Sequence, residues 1–113
     1  MSARDLLATL FEAWNAHDAV RAAACFAEDG IYREADGREV AGRAEIGGHF
    51  ARFFRTGPPW RFDVDEVVCE GERAAVAYRF GVKGQGGDWS ERGGCAMVRL
   101  RGGLVQLWHE YRG

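Results

Sequence analysis

The sequence predicts an α+β fold, with helices in the first half of the chain and a run of strands in the second. Apolar residues of the first half recur at helical spacing, as at Leu7, Leu10, Phe11 and Trp14, and these form one stripe of a helix. From position 60 onward, apolar and polar residues alternate with the period of two that is typical of strands, and glycines separate the alternating runs. Helices followed by hairpin-linked strands indicate an α+β domain with an antiparallel meander.

Three helices are predicted before position 60. The first carries the apolar stripe and ends before Asp18, whose side chain is a good N-cap for a second helix over the sequence AVRAAACFAE. Asp29 and Gly30 are predicted to end that helix in a turn. A short hairpin follows, in which the turn ADGRE joins the strands IYRE and VAG. A third helix, RAEIGGHFARFF, is expected to end at the sequence GPP.

Four long strands are predicted in the second half: WRFDVDEVVCEG, RAAVAYRFGVKG, DWSERGGCAMVRLRG and LVQLWHEYRG. In the second of these, alternation places Tyr78 and Phe80 on one face and Arg79 on the other. Amphipathicity alone predicts that the aromatic face is buried. In the last strand, Trp108 and Glu110 share a face, which places a carboxylate beside a large apolar side chain.

Length and composition argue against several classes of function. The 113 residues are expected to form one domain over 1–113, and the net charge of −2 without a basic block argues against nucleic-acid binding. Three scattered cysteines without a CxxC pair indicate neither a zinc ribbon nor a disulfide framework, so a reduced, cytoplasmic setting is expected. No signal peptide or membrane span is evident. The three histidines lack metal-ligand spacing, so neither a metal nor another cofactor is expected.

The order of these elements resembles a known superfamily. The sequences LFEAWNAHDAVRAAACFAEDGIYRE and VAGRAEIGGHF, followed by four strands closing on WHEY, resemble the nuclear transport factor 2-like superfamily, and its SnoaL-like branch in particular. The resemblance implies a cone-shaped, strongly bent, mainly antiparallel sheet closed by three N-terminal helices, with a ligand pocket in the hollow. It also implies a homodimer through the convex face of the sheet. Members include isomerases, cyclases, hydrolases and plain binding domains, so the fold does not give the function.

Limonene epoxide hydrolases are one enzyme family of this superfamily that the chain resembles. Their tyrosine, arginine and final carboxylate match Tyr32, Arg79 and Glu110, and their asparagine falls at Glu34. The aspartate that accompanies the arginine falls at Gly81. Because that mechanism uses two carboxylates beside one arginine, this loss argues against epoxide hydrolysis of the standard kind.

Ketosteroid isomerases match less well. Their general base falls at Glu34, but their two oxyanion donors fall at Leu10 and Ala96, so a developing enolate lacks the usual stabiliser. A standard isomerase site is therefore rejected. SnoaL-type polyketide cyclases, which use acid–base residues in the same hollow, remain open.

The resemblance implies a site in which Tyr32, Glu34, Arg79 and Glu110 point into the hollow. Glu34 and Glu110 would be the acid–base pair, Arg79 an electrostatic anchor, and Tyr32 a group that orients water or substrate. Two carboxylates near one arginine need not titrate alike, so one can act as base while the other carries a proton. Residues expected to contact substrate are Phe11, Trp14, His49, Phe50, Phe53, Arg92 and Trp108.

Two questions stay open at the level of sequence. The resemblance turns Arg79 inward and places Tyr78 and Phe80 at a subunit interface, which is the reverse of the amphipathic pattern; we take the inward arginine as the prediction. Arg79 and Glu110 would alternatively form a structural ion pair. The predicted function is cofactor-independent acid–base chemistry of a hydrolase, cyclase or isomerase type on a hydrophobic small molecule. The alternative is a non-catalytic, dimeric module that binds a small ligand.

Overall fold

The computed structural model describes residues 2–112 and shows three helices and six strands in that range. The helices are α1 (Ala3–Asn15), α2 (Ala19–Ala24) and α3 (Arg43–Thr56). The strands are β1 (Phe26–Arg33), β2 (Glu39–Ala41), β3 (Trp60–Glu70), β4 (Arg73–Lys83), β5 (Trp89–Arg101) and β6 (Leu104–Arg112). Helices followed by strands confirm the predicted α+β class. None of the helices within 2–112 is long and apolar enough to cross a lipid bilayer.

The helix starts follow from local capping. At the start of α1, the Ser2 hydroxyl accepts a hydrogen bond from the backbone N–H of Asp5, and the Asp5 carboxylate accepts one from Ser2 N–H in return. The Asp18 carboxylate caps α2 by accepting a bond from the N–H of Arg21, as the sequence predicts. These side chains satisfy backbone donors that a helix end leaves without partners.

The second helix is shorter than predicted. It ends at Ala24, and β1 already begins at Phe26, so the expected turn at Asp29 and Gly30 lies inside a strand. The pairing of β1 with β6 shifts register between Phe26 and Ile31. A Cβ at Gly30 would lie 2.9 Å from the carbonyl oxygen of Ala27, so only glycine fits. The glycine therefore marks an irregularity in a strand, which local sequence does not distinguish from a helix-ending turn.

The six strands form one open, mixed sheet in the order β2-β1-β6-β5-β4-β3. All neighbours pair antiparallel except β1 and β6, which pair parallel. That parallel pair brings the first and last strands together and sets Tyr32 beside Trp108. The prediction of a mainly antiparallel sheet is confirmed. The parallel pair places β1, the first strand, beside β6, the last strand.

The helices cover one face of the sheet, and the core lies between them. Its largest fully buried side chains include Leu7 and Leu10 from α1, Ile46 from α3, and Val98 and Trp108 from the sheet. We call this helix-covered side of the sheet the inner face and the opposite side the outer face. Side chains that pair with Trp108 across neighbouring strands point to the inner face, since cross-strand partners project to the same side of a sheet.

Candidate functional site

A cavity of about 680 Å³ lies between the inner face of the sheet and the helices. Its apolar walls come from α1, α3, β3 and β4, and its ionisable side chains come from α3, β1, β5, β6 and the turn after β1. Predicted residues that line it are Trp14, Tyr32, Glu34, His49, Phe50, Phe53, Arg92 and Glu110. The cavity opens to solvent where Asp36, Arg38, Arg92 and Arg112, all exposed, form its rim.

Glu110 is the carboxylate at the centre of the site. Its Oε2 accepts one hydrogen bond from the Tyr32 hydroxyl and one from the Trp108 indole N–H, each 3.0 Å long. The strands position both donors. Trp108 precedes Glu110 by two residues on β6, and Tyr32 of β1 lies opposite Trp108 in the parallel pair. The other carboxylate oxygen, Oε1, accepts no hydrogen bond from residues 2–112. That oxygen is the free acceptor of the site.

The environment of Glu110 favours its protonated form. Burial raises the pKa of the Glu110 carboxyl above its ordinary value, and the negative charges of Glu34 and Asp36 raise it further. The hydrogen bonds from Trp108 and Tyr32 oppose this shift because they stabilise the ionised form. Among residues 2–112, no arginine, lysine or histidine lies within ion-pair distance of Glu110. Desolvation without a paired cation is the condition that tunes a carboxyl toward proton transfer near neutral pH.

Tyr32 acts on Glu110 as a neutral donor. Burial raises the pKa of the Tyr32 phenol well above its ordinary value, and the charge of Glu110 adds to this effect. The phenol therefore keeps its proton while Glu110 is ionised. Its ring packs edge-on against Phe50, with the two centroids 5.3 Å apart, so the hydroxyl is held in place by the aromatic wall.

A second ionisable group lies nearer the rim. Oε1 of Glu34 is 3.5 Å from the Nε2 of His49 on α3, and its Oε2 is 3.7 Å from the guanidinium of Arg38. The backbone N–H of Glu34 donates to the carbonyl of Arg38 across the tight turn, which fixes the backbone from which the carboxylate projects. Glu34 and Glu110 thus face one cavity, one at its rim and one within it.

Aromatic side chains build the wall at the other end of the cavity. The Phe53 ring of α3 lies 5.7 Å from the Trp60 ring of β3, and Trp60 lies 6.0 Å from Phe80 of β4. Trp14 of α1 packs edge-on against Phe50 and Phe62 at 5.7 and 5.3 Å. Such a wall suits a flat, apolar ligand.

Arg79 does not lie in the cavity, which corrects the prediction made from the resemblance. Its Nε donates to Asp65 at 2.9 Å on the outer face, its Nη1 lies 3.7 Å from Glu91, and 46% of the side chain is exposed. The neighbours Tyr78 and Phe80 point inward instead. Turning the strand over would expose both aromatic rings and bury a guanidinium, and each cost is large.

Phe11 and Trp108 lie behind the cavity wall and do not line it. Trp108 is 0% exposed and reaches the site through its N–H bond to Glu110. Phe11 packs in the core against Phe62 and Trp108, at centroid distances of 5.6 and 6.3 Å. Arg92 is on the rim and exposed. No group of three or more His, Cys, Asp or Glu side chains within the described range is arranged to hold a metal ion.

The sequence reasoning missed several cavity residues. Tyr78, Phe80 and Trp60 line the cavity, although the resemblance placed the first two at an interface. The signal was present in the alternation of β4, whose large apolar side chains all fall on the face with Tyr78. Arg38 and Asp36 at the rim carried no signal, because a charged tight turn is common on any surface.

Comparison with known proteins identifies the fold family. The sequence profile of the SnoaL-like domain matches residues 7–108. Among curated protein sequences, none matches this chain significantly. The structure is similar to a Catenulispora acidiphila protein with a ketosteroid isomerase-like fold in complex with trimethylamine, with a TM-score of 0.86, 19% identity, and coverage of 99% of this chain and 88% of that chain.

Two further solved structures share the architecture. TerC co-crystallised with polyporic acid has a TM-score of 0.84 at 14% identity, covering 96% of this chain and 89% of TerC. A proposed polyketide cyclase from Pseudomonas putida has a TM-score of 0.80 at 21% identity, covering 100% of this chain and 92% of that chain. At these identities the likeness shows a common fold and no more. The profile match covers most of the chain, and the protein belongs to the SnoaL-like domain family.

Proposed function

We propose that the protein is a cofactor-independent enzyme that moves a proton on a hydrophobic small molecule, with Glu110 as the acid–base group. The observation that carries this proposal is the half-buried Glu110 carboxylate, whose Oε2 has two neutral donors and whose Oε1 has no hydrogen-bond partner among residues 2–112. Because Glu110 lines the cavity and its Oε1 has no partner within the described range, that oxygen is available to a ligand.

Tyr32 and Trp108 orient the carboxylate for this role. Both donors hold Oε2 at 3.0 Å, so the plane of the carboxylate is fixed and Oε1 is presented to the ligand. A base held in one orientation avoids reorganisation during proton transfer. The raised pKa of Glu110 makes it a stronger base when ionised and keeps a proton available for return.

Glu34 is proposed as the second member of the acid–base pair. Its carboxylate lies 3.5 Å from His49, and together they can donate or accept a proton at the mouth of the cavity. The charge of Glu34 also raises the pKa of Glu110, so the two carboxylates interact electrostatically across the cavity.

The substrate proposed is a flat, largely apolar molecule of polyketide, terpenoid or steroid-like size. A cavity of about 680 Å³ with an aromatic wall and a few polar groups supports this class. The similar structures were solved with trimethylamine and with polyporic acid, and another is a proposed polyketide cyclase. These relatives support a small-molecule ligand without naming it.

Proton exchange tests the proposal without knowledge of the natural substrate. 2-Tetralone carries acidic hydrogens next to its carbonyl, and their replacement by deuterium in D₂O is followed by proton NMR. The protein should accelerate exchange above the buffer rate, and Glu110→Gln should lower the acceleration by about 100-fold or more, as expected for removal of a general base. Glu34→Gln should lower it less.

Arg79→Gln is the matched control for this experiment. Because Arg79 lies on the outer face, 46% exposed, exchange by this variant should stay within about twofold of wild type, as for other surface changes away from a site. Full activity of Glu110→Gln, or a loss in Arg79→Gln equal to that of Glu110→Gln, would contradict the assignment.

A non-catalytic binding module is the second candidate. Two structures of similar fold hold a small molecule, and an aromatic cavity binds such ligands without chemistry. Tight binding of 2-tetralone with exchange equal to the buffer rate would favour this alternative.

A homodimer through the outer face is also proposed. Val68, Ala75, Met97 and His109 lie side by side across β3, β4, β5 and β6, and Val68 and Met97 are 56% and 47% exposed. The first three of these side chains make an apolar row across the sheet face, which fits a second copy of the same face. Sedimentation velocity should show a dimer that Met97→Glu converts to monomer, while Val20→Glu, on the exposed side of α2, leaves it intact.

A further inference from the structure

Three arginines lie at the rim of the cavity, and two of them have no counter-ion. The guanidinium of Arg38 is paired, since it lies 3.7 Å from Glu34 and 2.8 Å from Asp36. Arg92 of β5 and Arg112 of β6 are exposed and line the cavity. Neither of them lies within ion-pair distance of a carboxylate in the described part of the chain. The rim therefore carries two positive charges that the described residues leave unpaired.

The register of the sheet places these two arginines side by side. Arg112 lies opposite Gly94, and Arg92 precedes Gly94 by two residues on β5, so the two side chains are diagonal neighbours on the inner face. Diagonal neighbours on adjacent strands are about 7–8 Å apart, which is within reach of long side chains. The space over Gly94 is filled by the neutral phenol of Tyr78, whose oxygen would lie 2.9 Å from a Cβ at that position. No acidic side chain separates the two guanidiniums, and both can reach the same anion.

The carboxylates closest to these arginines along the rim are held by other residues. Glu91 lies 3.7 Å from each of two arginines on the outer face. Both oxygens of Asp36 accept hydrogen bonds from Arg38, one from its backbone N–H at 3.0 Å and one from its Nε at 2.8 Å. These bonds lower the pKa of Asp36, and the charge of Arg112 contributes less. Arg92 and Arg112 are therefore free to bind an anion that the chain itself does not supply.

We propose that Arg92 and Arg112 bind a carboxylate of the ligand at the rim of the cavity, while the apolar body of the ligand lies against the aromatic wall. The inference rests on the proposed function, and it narrows the substrate class to flat, apolar carboxylic acids. Guanidinium groups suit this role because they form charge-assisted and often bidentate hydrogen bonds with carboxylates.

The charges of the cavity determine which end of such a ligand enters. An anionic group inside the cavity would be repelled by Glu34 and by ionised Glu110, whereas at the rim it meets the two arginines. Arg112 follows Glu110 by two residues on β6, which is a separation of about 7 Å along a strand. A carboxylate bound at Arg112 therefore places the adjoining ring of the ligand beside Glu110.

Two probes of the same shape test this inference. 2-Naphthoate and 2-naphthamide share one bicyclic skeleton and differ in charge at neutral pH, and their affinities can be measured by NMR titration. The wild-type protein should prefer 2-naphthoate. Arg92→Gln and Arg112→Gln should each reduce that preference by about 3- to 10-fold, as for loss of one charged hydrogen-bond donor at a partly solvated site. The affinity for 2-naphthamide should stay unchanged, and added salt should weaken the preference because the site is exposed.

Arg52→Gln is the matched control, because it removes the same charge from an exposed position on α3 that does not line the cavity. It should keep the wild-type preference. The double variant of Arg92→Gln and Arg112→Gln should bind the two probes about equally. The proposal would be overturned if the wild-type protein bound neither probe or both equally, if the double variant kept the preference, or if Arg52→Gln lost as much of it.

Glu110→Gln separates this inference from the proposed function. The variant should lose deuterium exchange of 2-tetralone and keep the preference for 2-naphthoate, because both arginines are intact. If the preference depends on Arg92 and Arg112 but the wild-type protein does not accelerate exchange, the acid–base function fails and the carboxylate site stands. If exchange depends on Glu110 and the double variant keeps the preference, the carboxylate site fails and the acid–base function stands.

Discussion

The two faces of the sheet hold ionisable side chains in opposite ways. On the outer face, Arg79 meets Asp65 at 2.9 Å and Glu91 at 3.7 Å, with about half of each of the first two side chains exposed. On the inner face, Glu110 is held by two neutral donors at 3.0 Å and has no cation within ion-pair distance among residues 2–112. Outer-face ions are paired and solvated, whereas the inner carboxylate is desolvated and unpaired.

Solvent decides what each arrangement can do. An ion pair in water is worth little and does not shift a carboxyl toward neutral pH. A carboxylate removed from water has a raised pKa and a strong tendency to take a proton. The same strands therefore carry a surface network on one side and a candidate acid–base group on the other. Substitutions that match one face against the other test this difference.

The largest difference is expected from a matched pair of tryptophans. Trp108→Ala removes a side chain that is 0% exposed on the inner face, and it should cost about 3–5 kcal/mol of unfolding free energy. Trp89→Ala removes a ring that is 40% exposed and stacks under the Arg61 guanidinium at 4.4 Å; its cost should be about 0.5–1 kcal/mol. Urea unfolding followed by circular dichroism measures both. Similar losses would contradict the division between the faces.

A matched pair of tyrosines should give the next largest difference. Tyr32→Phe removes a hydrogen bond to the Glu110 carboxylate and should cost about 1.5–3 kcal/mol when Glu110 is ionised, as for hydrogen bonds to charged groups. It should also raise the pKa of Glu110 further, because the lost bond stabilised the ionised form. The acidic limb of the pH profile for proton exchange should then move to higher pH. Tyr111→Phe on the outer face should leave that limb unchanged.

The pH dependence of stability tests the burial of Glu110 without any substrate. Its pKa is higher in the folded protein than in the unfolded chain, so the folded form binds the proton more tightly. The contribution of Glu110 to stability is therefore fully present below the ordinary value of 4.5 and is lost as pH rises through the folded pKa. Glu110→Gln removes this dependence, so its stability should improve relative to wild type between acidic and neutral pH. A constant difference across that range would show that Glu110 is solvated.

Much of the fold follows from local pattern. Three patterns each predict one local structure, and the chain forms it: the apolar stripe of α1, the Asp18 cap and the alternation in β3 to β6. The early start of β1 could not be predicted from the sequence, because it depends on the pairing of Phe26 with Val105 of β6. That contact is distant in sequence, and no local propensity encodes it.

Only part of the candidate site could be predicted from the sequence, for a similar reason. Tyr32, Glu34 and Glu110 line one cavity as the resemblance implied, and the shared face of Trp108 and Glu110 follows from alternation. Arg79 was placed wrongly because a position carried over from another family outweighed the amphipathic pattern of β4. The packing of Tyr78 over Gly94 is a cross-strand contact, which the sequence of either strand alone does not reveal.

Arg79 gives the smallest expected effect and the sharpest check on that correction. Arg79→Gln breaks an exposed pair with Asp65 and Glu91, so the unfolding free energy should fall by no more than about 1 kcal/mol. The difference should shrink in 1 M salt, where the Debye length is about 3 Å. An inward arginine near Glu110 would behave otherwise, because removing one member of a buried pair costs about 3–5 kcal/mol. A loss of that size that persists in salt would indicate that Arg79 lies in the cavity, and it would contradict the difference drawn between the two faces.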